Sequence, residues 1–114
     1  MNFLILVFSF LIVLQGFISY NPPGRGVIGI LINRHNGVIG KVFKDSPAEQ
    51  GGLLVNDKVY LVDNKPNNCD NIDGKVGEKV EIWIDRGGSP LYFEFIRIDS
   101  RLLGDDFPGK KYLD

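Results

Sequence analysis

Two side chains open the question of chemistry, and both stand alone. His35 is the single histidine and Cys69 the single cysteine. Nucleophilic catalysis needs a nucleophile, a base and a group that orients the base. His35 sits between Arg34 and Asn36 among turn-forming residues, with no serine motif to serve, and reads as a solvated loop residue. Cys69 lies in a polar stretch whose nearest cations in sequence are Lys65 and Lys75, so it reads as a small, semi-buried side chain rather than a reactive thiol. One cysteine and one histidine supply no internal disulfide, no redox pair and no zinc cluster. Asp105-Asp106 match no calcium-loop spacing, and Lys110-Lys111 would gain only about 2 kcal/mol at an anionic lipid surface. Trp83 is expected on a sheet face, packed under the C-terminal tail. The expectation is a chain without catalytic residues, metal or cofactor, and not an enzyme.

The elements that must position any binding site divide sharply in composition. The chain has 114 residues, 44% hydrophobic and 24% charged, with a net charge of -1, and every charged residue lies at or after Arg25. Beyond the N-terminal segment the chain is ordinary soluble material, enough for one small domain with a thin stability margin. Large multi-part enzymes are excluded. Lysines and arginines are interspersed with acids, so no basic face invites nucleic acid.

Phe3 to Tyr20 carries no charge, and its polar interruptions are Ser9, Gln15 and Ser19. At about 1.5 Å per residue it spans about 27 Å, close to the roughly 30 Å hydrocarbon core of a bilayer. Two readings stand. One is an uncleaved transmembrane anchor, a signal-anchor that makes a single-pass membrane protein. The other is a cleaved signal, which would make the protein secreted or periplasmic. Cleavage near Gly16 or Ser19 would place bulky Leu14 or Phe17 three residues before the cut, and no basic residue precedes the apolar core; both features favour the anchor. The nearest basic residues, Arg25, Arg34 and Lys41, belong to a folded domain and do not fix its side of the membrane.

Residues 21–26 form a short spacer stiffened by Pro22-Pro23. Val27 to Ile32 reads as a strand broken by Gly29, Asn33 to Gly37 as a turn, and Val38 to Phe43 as a strand. Ser46-Pro47-Ala48-Glu49 has the residues of a helix start, with Ser46 as cap, Pro47 in the first turn and Glu49 closing a capping box. Gly51-Gly52 stops that helix within one or two turns. Lys58 to Val62 is a strand expected to turn Val59 and Leu61 to one face and Tyr60 and Val62 to the other. Residues 67–78 hold few apolar side chains and no helix pattern. Val80 to Arg86 and Leu91 to Ile98 form a hairpin, with Val80, Ile82 and Ile84 inward. A bulge between Phe95 and Ile96 would reconcile the second strand's two apolar sets. Residues 100–114 are a tail, with Leu102, Leu103 and Phe107 as candidates for docking back.

These words, in this order, resemble a family. Arg25 to Ile30, Asp45 to Leu53, Val55 to Pro66 and Gly77 to Val80 leading into the last hairpin match PDZ domains of the bacterial, circularly permuted kind found in HtrA-type proteases and C-terminal processing peptidases. The resemblance covers residues 25–99. It implies a mainly β fold with a short helix, a PDZ-like, partly open β-barrel or sandwich over residues 27–99, here preceded by a transmembrane helix at 1–20. It implies that Ile28-Gly29-Ile30 is a carboxylate-binding loop and that Ile30, Leu31, Ile32 and Asn33 form the edge to which a peptide adds, with Val27, Ile28 and Ile30 lining a pocket for the terminal side chain. The physics supports such a site: successive amides about a glycine make a small anion cradle, and an extended peptide completes the ladder beside it. The competing reading of Gly29 is a bend in a buried strand. The chain departs from the family between Pro66 and Gly77, where typical members carry a helix of several turns that forms the far wall of the groove. Ile72 and Val76 are the apolar residues there to replace it.

The reading is a membrane-anchored, non-enzymatic module that binds an extended or C-terminal peptide of a partner protein. The partner could be a membrane protease or its substrate, with this chain an accessory or regulatory subunit. A structural membrane protein with a degenerate peptide groove is the rival.

Overall fold

Short β-branched runs punctuated by glycine and asparagine become strands, and among the described residues one well-capped turn becomes an α-helix. The computed structural model describes residues 24–104, 107 and 112–113. The expected membrane segment at 1–20, spacer residues 21–23, Asp105-Asp106 and Lys110-Lys111 lie outside the described residues. Among the described residues no helix is long and apolar enough to cross a membrane.

In chain order the elements are β1 (Gly26–Val27), β2 (Ile30–Asn33), β3 (Ile39–Val42), α1 (Pro47–Gly51), β4 (Lys58–Val62), β5 (Lys79–Arg86), β6 (Ser89–Ile96), β7 (Ile98–Asp99) and β8 (Tyr112–Leu113). β4, β5 and β6 form an antiparallel meander. β2 lies between β3, antiparallel, and β8, parallel. β1 pairs with β7. The core between these sheets gathers Ile28, Ile30, Ile32, Ile39, Val59, Val62, Val80, Ile82, Ile84 and Phe95, with Ala48 and Leu53 from the helix region. The inward triplet of β5 is fully buried, as period-2 alternation requires.

α1 forms from local chemistry alone. Ser46 Oγ accepts the Glu49 amide at 3.1 Å, Pro47 opens the first turn, and Gly52 closes the helix with φ +99°. The Glu49 carboxylate reaches back to the amide of Asp45 rather than Ser46, one residue beyond a standard capping box.

Three local expectations are corrected. β4 does not alternate simply: a bulge between Val59 and Leu61 shifts the register, so Val59 and Val62 both enter the core while Leu61 is only half-buried. β6 carries no bulge at Phe95; it pairs regularly through Ile96, which stays exposed, and the chain changes sheets at Arg97. Trp83 packs on Tyr92 across the hairpin, ring centroids 5.2 Å apart, rather than under the tail.

Arg97 makes that sheet change possible. It is 6% exposed, and its guanidinium donates to the carbonyls of Ile72 (2.9 Å), Asn71 (2.8 Å) and Lys79 (3.2 Å). Its own backbone exchanges bonds with Glu78 and Gly77. A segment without a helix thereby has its carbonyls satisfied by one planar fork. A second clamp joins α1 to the meander: Arg86 donates twice to Asp57, each at 2.8 Å, and to the carbonyl of Gly52 at 2.9 Å. Burial raises the Asp57 carboxyl, but the Arg86 hydrogen bonds, the Leu54 amide and the Arg86 charge together hold it below its ordinary value.

Arg97→Met keeps the apolar stem and removes every donor, leaving buried carbonyls unpaired. A loss of about 3 kcal/mol in urea unfolding is expected, with faster amide exchange across residues 71–79. For Asp57 the folded carboxyl is the stronger acid, so its contribution is complete above the unfolded value of about 3.9 and is lost as pH falls through the lower folded value. Asp57→Asn should therefore melt well below the wild type at neutral pH, and the gap should narrow at about pH 3; a gap independent of pH would contradict the clamp.

Candidate functional site

Gly29 stands where β1 ends and β2 has not begun, with φ +91°. A β-carbon there would overlap Ser46 Cβ, so only glycine lets this loop close on the capping residue of α1. Substitution at Gly29 consequently reports on folding before it reports on any ligand. The Ile28 carbonyl accepts the Ala48 amide at 2.9 Å, and the Gly29 carbonyl accepts the Phe43 amide at 2.9 Å. Because a trans peptide directs its C=O and N–H oppositely, the Gly29 and Ile30 amides point away from Ala48 and Phe43 respectively. Two successive donors are thus turned to the side that the helix and β3 leave open.

The side chains named from the sequence lie deeper than a pocket lining. Val27, Ile28, Ile30 and Ile32 are 1%, 0%, 4% and 1% exposed, and the three isoleucines belong to the central core. Leu31 and Asn33 are half-buried. The site therefore offers an incoming strand its backbone first, together with the flanks of Leu31 and Asn33.

The opposite side of the groove has no long helix. Residues 67–78 contain a three-residue 3-10 turn, Cys69–Asn71. Ile72 is buried in the core and Val76 is exposed, so the two do not form a shared apolar wall. A cleft of about 390 Å³ remains between this turn, β4 and the β2–β3 turn, lined by Arg34, His35, Tyr60, Asn68, Cys69 and Asp70 among others. The lone histidine and lone cysteine thus border one cleft. Among the described residues no group of three or more histidine, cysteine, aspartate or glutamate side chains is gathered to hold a metal ion.

The segment after β7 closes over the start of β2. Leu103 Cδ1 comes within 3.4 Å of the position a Gly29 β-carbon would take. Phe107 packs edge-on to Phe43 at 4.8 Å, and the Arg25 guanidinium, paired with Asp73 at 3.1 Å, lies over the Phe107 ring at 5.3 Å. Asp99 anchors the segment's origin by accepting the Gly24 amide and pairing with Arg101, which holds its carboxyl well below the usual carboxylate range. Leu102 stays 73% exposed.

An HtrA-type protease, AlgW, solved with a decapeptide, matches this structure with a TM-score of 0.54 at 22% identity, over 66% of this chain and 29% of that one. The fold is PDZ-like. Neither a protein-family model nor a curated protein matches the chain. The matched region is a minor part of the protease, so the likeness concerns architecture.

Of the tail residues expected to dock back, Leu103 and Phe107 do so and Leu102 does not, while sequence reasoning missed Arg97 and the pairing of β8, which makes β2 an inner strand. Arg97 carried one usable signal: it stands between Ile96 and Ile98, where a charge turned inward is tolerated only if its partners are built in.

Proposed function

We propose that this chain is a membrane-anchored peptide-binding module of the circularly permuted, HtrA-type PDZ arrangement, which takes an extended or C-terminal peptide of a partner protein by strand addition to β2. The observation that carries the reading is the combination of a PDZ-like fold with a β2 whose side opposite β3 already pairs with a further strand, the two-residue β8. A peptide carboxylate placed on the Gly29 and Ile30 amides would run antiparallel to β2, and its upstream residues would then reach the cleft beside Arg34 and His35. The module binds without catalysing; a membrane protease or its substrate is the partner class the architecture suits. The short turn in place of a helix favours a second reading, a structural membrane protein with a degenerate groove.

Binding by one wall should be weak. A free-carboxylate peptide ending in an aliphatic residue is expected to bind at tens of micromolar or weaker, roughly -6 kcal/mol, and its amidated form more weakly still. NMR titration reads this directly, with shifts centred on residues 28–33; equal responses to both peptides, or none, would favour the structural reading.

Anchoring rests on the uncharged Phe3 to Tyr20 stretch. The mature protein should remain in the membrane fraction after carbonate washing with Met1 or its immediate neighbour at the N-terminus. A soluble product beginning near Phe17 or Tyr20 would overturn the anchor.

A further inference from the structure

The edge that a peptide would use is already paired. β8 lies parallel to β2, with Tyr112 opposite Ile32 and Leu113 opposite Asn33. Its approach is marked by two contacts earlier in the chain: Leu103 beside Gly29, and Phe107 on Phe43, whose amide bonds to the Gly29 carbonyl. In chain order Leu103, Phe107 and the Tyr112–Leu113 pair thus meet the loop before β2, the residue after β3 and the last two residues of β2.

We propose that the C-terminal segment is a built-in competitor that occludes the β2 edge in cis, so that peptide binding requires its displacement. The inference rests on the peptide-binding reading above. An edge strand has one outward row of amides and carbonyls, and a strand paired at Ile32 and Asn33 uses the row that a second strand would need. Leu103 beside Gly29 and Phe107 on Phe43 add contacts near the start of β2 to the pairing at its end. Direction separates this arrangement from self-recognition of a C-terminus. In a parallel pairing Leu113 lies at the Asn33 end, away from Gly29, so β8 runs in the direction opposite to a peptide whose carboxylate sits on the loop amides. Release therefore depends on backbone pairing and the Phe107 contact.

The test uses the full-length chain in detergent micelles and a ten-residue peptide ending in a free-carboxylate valine, monitored by NMR titration. Tyr112→Pro/Leu113→Pro removes both β8 amide donors, and Phe107→Ala removes the aromatic contact at an independent point. Each should bind the peptide about tenfold tighter than the wild type, the factor for an edge open in roughly one molecule in ten. Two extra residues appended after Asp114 should leave affinity unchanged. Unchanged melting temperatures would confirm that the core is intact in all variants. Equal affinity in wild type and both variants would overturn the competitor while leaving the peptide site in place. Absence of binding in every form, including both released variants, would overturn the peptide reading and the competitor with it.

Discussion

The approach of residue 29 to Ser46 admits no β-carbon, and much of the molecule is arranged around that contact. Ser46 is at once the cap of α1, a donor to the Phe43 carbonyl at 2.7 Å and the surface against which the loop closes. With the loop seated, the Ile28 and Gly29 carbonyls find Ala48 and Phe43, which sets β2 beside β3 and turns the next two amides outward. A methyl group at position 29 would separate the helix from the first sheet and disturb the alignment of β2 in one step. Positive φ adds to the requirement, since a side chain is strained there whatever space it has.

Arg97 answers a different constraint, the absence of a long helix between Pro66 and Gly77. A helix would satisfy its own carbonyls; an irregular segment needs donors from elsewhere. One guanidinium supplies three, which lets residues 71–79 pack closely with Ile72 buried beneath them. The exchange has a functional side. A compact turn covers less of the groove than a helix would, so recognition falls more heavily on the backbone of β2, which is where the C-terminal segment also lies.

The legible parts of the sequence are those whose causes are local. The alternation of β5 and the cap at Ser46 depend on neighbours within a few residues, and both can be read from the residue order alone. Gly29 is conspicuous because a glycine among β-branched residues needs a reason. Its burial is not, because Leu103 lies more than seventy residues further along the chain. The same distance hides β8: two residues at the end of a polar tail carry no periodicity, and only the unfilled edge of β2 gives them a partner. The bulge in β4 escapes sequence reasoning because Val59, Leu61 and Val62 are similar enough that either face could be the inner one.

The two arginine clamps also differ in what can undo them. Arg97 is held by peptide carbonyls, which have no proton to gain over any ordinary range of acidity, whereas Arg86 depends on a carboxylate that acid will neutralise. The corner where α1 meets β4 and β5 is thus chemically the softer one, and the segment under Arg97 the more durable. In acid strong enough to protonate Asp57, below the ordinary carboxylate value of about 3.9, the domain would fray from the Asp57 side while the far end of the sheet kept its shape, a directional weakness set by which acceptor each guanidinium has.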